Sequence, residues 1–151
     1  MAFVDLDETD KAILRILLIN ARTPYSRIAR MLGLSEATVY LRVKRLKEKG
    51  VLRGFYADID AFKIGFNVLA FVLIKADPRR YKEVLERLRE IKNIVELYEV
   101  TGEYMGLAKI RARTQEELVK TIDEIGGVEG VTATYTMYVL KVLKEEKRLN
   151  I

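Results

Sequence analysis

Apolar residues recur along this chain in two rhythms, one of about 3.6 residues and one of two. From Glu8 to Asn20 they fall at Ile13, Ile16 and Leu17, with Leu14 and Leu18 adding a second strip. That spacing predicts an amphipathic helix whose apolar surface is wider than one small core needs. The surplus face is expected to lie against a second domain or to serve dimerisation. Asp7 stands where a cap belongs, Asp10 follows three residues on, and acids fill the first turn. The run TPYSRIARMLG predicts a second helix, with Thr23 as cap, Pro24 at the first helical position, Ile28, Ala29 and Leu32 inside, and Gly33 as a left-handed stop. In LSEATVYLRVKRLKEKG, Ser35 caps a third helix, Val39, Val43 and Leu46 make a narrow buried stripe, and Gly50 ends it. Three short helices, the last two joined by a tight Gly-Leu-Ser turn, read as a helix-turn-helix. A small three-helix bundle with a charged surface is the plain alternative.

After Gly50 the rhythm changes. VLRGFYADID alternates loosely and predicts a strand that also connects two domains, and AFKIG is a turn. FNVLAFVLIKAD is apolar at both alternations and predicts a strand covered on both faces. DPRRYKEVLERLREIKN predicts a helix capped by Asp77 and begun by Pro78, with Tyr81, Val84, Leu85, Leu88 and Ile91 inward. IVELYEVTG and MGLAKIRAR are strands joined at Gly102-Glu103-Tyr104. TQEELVKTIDEIGG is a helix capped by Thr114, and VTATYTMYVLKVL is a last strand. The order from Phe66 is βαββαβ, four antiparallel strands with two helices on one face. The fold class is therefore α+β: a three-helix winged helix-turn-helix domain over residues 1–52, a strand linker over 53–65, a ferredoxin-like βαββαβ domain over 66–144, and a charged tail over 145–151. The uncovered sheet face is expected to pair with another chain.

Composition removes most chemistries. The 151 residues contain no His and no Cys, so imidazole catalysis, thiol catalysis, disulfides and nearly all transition-metal sites are excluded. No cofactor and no metal site are expected, and no enzyme activity. Gly126-Gly127-x-x-Gly130 follows a helix and precedes a strand, the reverse of a phosphate loop. Glu96, Glu99 and Glu103 read as one strand's surface rather than a Mg²⁺ site. The sheet strands carry no aromatic run suited to stacking RNA bases. A single Gln115 among many Ile, Val, Lys, Glu and Arg fits a thermophile. No apolar run approaches the ~18 residues of a membrane span, and the acidic start is unlike a secretory leader, so a cytoplasmic protein is expected.

Charge is distributed unevenly. The chain carries +5 in all, but Arg22 to Arg53 hold nine basic and two acidic residues, a net +7. That asymmetry is the footprint of a polyanion-binding module. In a helix-turn-helix the N-terminal half of the second motif helix enters the major groove. Ser35, Glu36, Ala37 and Thr38 stand at its tip, and Tyr40, Leu41 and Arg42 follow on the next turn, on the face opposite Val39 and Val43. Arg42 can fork onto guanine, Glu36 can accept from cytosine, and Ala37 or the Thr38 methyl can meet thymine. Lys44, Arg45 and Lys49 lie farther along and suit phosphates, as do Arg22, Thr23, Tyr25 and Ser26 at the first motif helix's start and Arg53 beyond. A merely solvated basic face is the plain alternative.

LDETDKAILRILLINAR, then SRIARMLGLSEATVYLRVKRLKEKGVLRGFYADID, then a βαββαβ domain with TGEY between its central strands, resembles the Lrp/AsnC family of transcriptional regulators over essentially the whole chain. The resemblance implies double-stranded DNA binding, homodimers that assemble to octamers or filaments, and amino-acid effectors held between protomers of the second domain. It places an effector region around Gly102, Glu103, Tyr104 and Met105, with Thr134, Tyr135 and Thr136 from the last strand nearby. One departure stands out: where family members often carry an acid after the turn's Tyr, this chain has Met105, and Glu103 is the nearest carboxylate. The expected function is a sequence-specific DNA-binding regulator. The rival is an architectural protein that coats or wraps DNA with little sequence choice.

Overall fold

Asp7 starts the first helix as its spacing predicts: its carboxylate accepts the Asp10 amide at 2.7 Å, and α1 runs Glu8–Ile19. The computed structural model describes residues 4–151, so the first three residues of the expected 1–52 head lie outside the described residues. Two compact units are present, one running to Asp58 and taking in Lys144–Ile151, the other Ile59–Leu143.

In the first unit α2 is Tyr25–Leu32 and α3 is Glu36–Glu48. Thr23 does not cap α2. Pro24 itself occupies the N-cap position in extended conformation, so the helix starts one residue later than the sequence suggests. Thr23 closes the preceding turn instead, its hydroxyl donating to the Asn20 carbonyl at 2.8 Å. Gly33 ends α2 at φ +66°. A Cβ there would touch nothing within 4 Å, so only backbone strain opposes a side chain. Gly33→Ala is expected to destabilise by about 1–2 kcal/mol, the cost of holding an L-residue left-handed, as read from a thermal melt. Ile13, Leu17, Ile28, Ala29, Val39 and Val43 form the core. The surplus strip of α1 is only partly used: Leu14 is buried, while Leu18 and the exposed Ile19 border a hollow shared with Leu52, Phe55 and Leu149.

Residues 51–67 form no strand, so the expected strand and wing are absent there. A strand exists only through ladder bonds to a neighbour, and alternation alone does not supply one. Ala61–Gly65 is a turn, as its residues suggest. The Asp60 carboxylate accepts the amides of Phe62 at 3.0 Å and Lys63 at 3.3 Å.

The second unit runs β1 (Val68–Ala76), α4 (Tyr81–Leu88), β2 (Ile94–Glu99), β3 (Gly106–Ala112), α5 (Gln115–Gly126) and β4 (Val131–Tyr138). Its sheet order is β2-β3-β1-β4, with every neighbouring pair antiparallel. This is the expected ferredoxin-like βαββαβ arrangement. Thr114 caps α5 by accepting the Glu117 amide, as predicted. Helix α4 begins at Tyr81 rather than Pro78, because the Asp77 carboxylate accepts the Arg79 amide at 2.8 Å and closes a turn instead of a helix. Strand β4 stops at Tyr138 rather than Leu143. Its last bond to β1 runs from the Val139 amide to the Leu69 carbonyl, and upstream of Val68 β1 offers no strand to pair with.

Alternation sorts the sheet. Val68, Ala70, Val72 and Ile74 of β1 and Ala108, Ile110 and Ala112 of β3 pack beneath Val84, Leu88, Ile91, Leu118 and Ile125. The other face carries Leu69, Phe71 and Leu73, paired across to Leu107, Lys109 and Arg111 and, on β4, to Tyr135 and Met137. Near its β2 edge Glu96 accepts from Lys109 at 3.1 Å and from the Tyr98 phenol at 2.7 Å. Tyr135 and Met137 remain 55% and 39% exposed.

Candidate nucleic-acid interface

The second motif helix is held by local chemistry at its start. The Ser35 hydroxyl accepts the Thr38 amide at 3.1 Å and shares a 2.7 Å hydrogen bond with the Thr38 hydroxyl. Val39, Val43 and Leu46 turn inward, each at most 1% exposed. Ala37, Leu41 and Lys44 then stand on the face away from that stripe with Tyr40 beside them, while Glu36, three residues before Val39, flanks it at the helix tip, as helical spacing requires. All five are exposed. The Tyr40 ring meets the Tyr25 ring of α2 at 6.4 Å, tilted by 56°, so two candidates from different helices form one surface. Arg22, Ser26, Lys44, Lys49 and Arg53 are exposed as well. Lys47 lies 4.8 Å over the Phe55 ring.

Arg42 departs from its expected role. It does not face away from Val39 and Val43. Three residues after Val39 and four before Leu46, it flanks the buried stripe on the side of α1. Its Nη1 donates to Asp10 Oδ1 at 2.8 Å and to the two Asp7 oxygens at 2.9 and 2.7 Å. A guanidinium so occupied is a tie between α3 and α1, not a fork presented to guanine. Arg45 is turned the same way, its Nη2 donating to Asp10 Oδ2 at 2.6 Å, although 47% of its side chain remains exposed.

The Arg42 hydrogen bond, then the Asp10 amide, hold the Asp7 carboxyl below its ordinary value of 3.8. A carboxyl depressed in the folded state stabilises fully above that ordinary value, and its contribution is lost as the pH falls through the lower folded one. The clasp therefore persists through neutral pH and weakens only in acid. Arg42→Ala is expected to lower the melting temperature by roughly 5–10 °C at pH 7. It should not relax selectivity at a single base position, as competition binding against single-base variants of a bound site would show.

In the second unit the turn between β2 and β3 is shaped by Gly102 at φ +116°. Glu103 is already engaged by Lys75, Nζ to Oε1 at 2.9 Å, and this hydrogen bond raises the Lys75 pKa. Tyr104 is half-buried. Met105 is a packing residue: its amide donates to the Ile74 carbonyl at 3.0 Å, and its side chain lies against the core. The three candidates on β4 do not converge. Thr134 and Thr136 pair with Ile74 and Val72 and share their helix-covered face, whereas Tyr135 pairs with Leu73 on the open face. Adjacency in sequence places strand neighbours on opposite sides.

Asp10 is the buried charge that reasoning from capping alone missed. Its signal was present: Asp10, Ile13, Leu14 and Leu17 share one helical face, and a carboxylate on such a face requires cations.

Among family models, one described as the AsnC-type helix-turn-helix domain matches residues 6–47, and one described as the Lrp/AsnC ligand binding domain matches residues 69–149. The chain is 43% identical over 146 residues to the HTH-type transcriptional regulator FL11 of Pyrococcus furiosus, covering 97% of each. It is 40% identical over 140 residues to the HTH-type transcriptional regulator LrpA of Pyrococcus horikoshii, covering 92% of this chain and 99% of that one. The solved structure of AsnC from E. coli superposes with a TM-score of 0.88 at 28% identity, covering 95% of this chain and 97% of that one. Likeness that reaches from the capped motif helices through the four-stranded sheet makes this chain a member of the Lrp/AsnC family, a transcriptional regulator with a helix-turn-helix DNA-binding domain and a ligand-binding domain.

Proposed function

We propose that the protein is a sequence-specific regulator that works in the cytoplasm and binds duplex DNA as a homodimer assembling to octamers. The observation that carries the DNA reading is the capped start of α3, which exposes Glu36, Ala37, Tyr40 and Leu41 within a segment of net charge +7. In this reading Ala37 and Leu41 meet thymine methyls, Glu36 accepts from cytosine, and Tyr40 spans to Tyr25. Ser35 and Thr38 shape the tip. Arg22, Thr23, Ser26, Lys44, Lys49 and Arg53 take phosphates, which set register without reading sequence. Arg42 and Arg45 are left out of this set because Asp10 holds both.

Pairing of subunits is assigned to the open sheet face around Phe71 and Leu73. The effector region is assigned to the β2–β3 turn with its Lys75–Glu103 pair, which would offer an amino acid one cation and one anion. With about six phosphates contacted per bound dimer, log K is expected to fall against log salt with a slope near −5, at ~0.9 per phosphate. A flat titration on any duplex removes the mechanism. A calorimetric screen of the twenty amino acids tests the effector region. Silence at millimolar concentration argues for regulation without an amino acid.

A further inference from the structure

Asp10 is a charged side chain on an apolar stripe, and only 1% of it is exposed. Both carboxylate oxygens are taken, Oδ1 by Arg42 at 2.8 Å and Oδ2 by Arg45 at 2.6 Å. Burying a carboxylate is unfavourable unless cations and hydrogen-bond donors meet it. Here both cations come from α3, the helix whose other face carries the DNA-facing side chains. Charge for phosphates and charge for Asp10 are thus drawn from one helix. A guanidinium held on a carboxylate must leave a charge-assisted pair before it can take a phosphate.

We propose that Asp10 is a positioning residue that sets selectivity: it draws Arg45, and together with Asp7 it draws Arg42, toward α1, fixes the rotation of α3, and withholds positive charge from sequence-independent phosphate binding. Phosphate contacts supply affinity for any duplex, and base contacts supply the preference among duplexes. Withholding two arginines therefore weakens random binding more than selected binding. The inference rests on the reading that this head binds duplex DNA.

The test uses the full chain, a duplex selected from a random pool, and a scrambled duplex of equal length, each titrated by fluorescence anisotropy over a range of KCl. Asp10→Asn keeps the size and one acceptor but removes the charge that holds Arg45 and that shares Arg42 with Asp7. Tighter binding of the scrambled duplex at low salt is expected, by about tenfold, with a log–log slope steeper by ~0.9 per head for the freed Arg45, since Asp7 still holds Arg42. The preference for the selected duplex should fall by a similar factor. Equal weakening of both duplexes with an unchanged slope would reduce Asp10 to a structural tie and overturn the proposal. Arg45→Ala gives a second readout that does not need Asp10 removed. An unchanged slope supports the withheld charge, whereas a slope shallower by about 0.9 per head places Arg45 on a phosphate already and refutes it. If the native chain shows no salt-dependent binding to either duplex, the DNA-binding reading itself falls and this inference with it.

Discussion

Phe71→Lys is expected to leave the protein monomeric and to abolish tight binding to DNA carrying two half-sites. Phe71 sits mid-sheet on the open face, between Lys109 on β3 and Met137 on β4. In the single chain its side chain is only partly covered, so an ammonium there stays hydrated and the fold survives. In the proposed pairing of two facing sheets the same ammonium would be stripped of water beside the Lys109 ammonium, and Glu96 already serves Lys109. An uncompensated charge in an apolar interface costs about 3–4 kcal/mol, or a dissociation constant raised ~200–1000-fold. Once the heads part, the second half-site is no longer presented at an effective concentration near millimolar, and avidity falls by ~10²–10⁴. Light scattering reads the mass, and anisotropy on one-site and two-site duplexes reads the avidity. A variant that stays dimeric would move the subunit interface off this sheet face.

The second large effect is expected from Ile110→Ala. Ile110 is fully buried on β3, with Ala70 across it on β1 and Ile94 across it on β2. Its other neighbours along the strand's inner face, Ala108 and Ala112, are small. Ladder bonds on both sides fix the backbone, so the sheet cannot close over the space that the missing atoms leave. Truncating a buried Ile in such a site costs about 2–5 kcal/mol, transfer and cavity terms together. For a unit of this size that lowers the melting temperature by roughly 10–25 °C. A differential scan measures it; a drop of only a degree or two would mean that Leu88 and Ile91 collapse inward and refill the space.

Elements defined by neighbours in sequence were legible. Asp7, Ser35 and Thr114 cap as predicted because a cap needs only its own side chain and an amide three residues on. The stripe Val39, Val43, Leu46 was legible for the same reason, as was the βαββαβ order. Two errors were a choice between neighbouring local turns, and the others arose where a distant partner decides. Thr23 lost the cap to Pro24 by one residue, and Asp77 closed a turn before α4. Residues 51–60 alternate as a strand does, yet lack a ladder. Thr134, Tyr135 and Thr136 read as one site until register divided them between two faces.

Local composition and periodicity by themselves determined that this chain has a basic three-helix head and a sheet-forming second half without imidazole or thiol chemistry. Those properties follow from residue types and from spacings shorter than one helix. What only the tertiary structure decided is how charge is allocated among distant groups. An arginine on α3 is chemically suited to a phosphate as well as to a carboxylate more than thirty residues upstream, and nothing in its own neighbourhood chooses between them. Packing α1 against α3 makes the choice, because a buried aspartate must be neutralised and the nearest cations are Arg42 and Arg45.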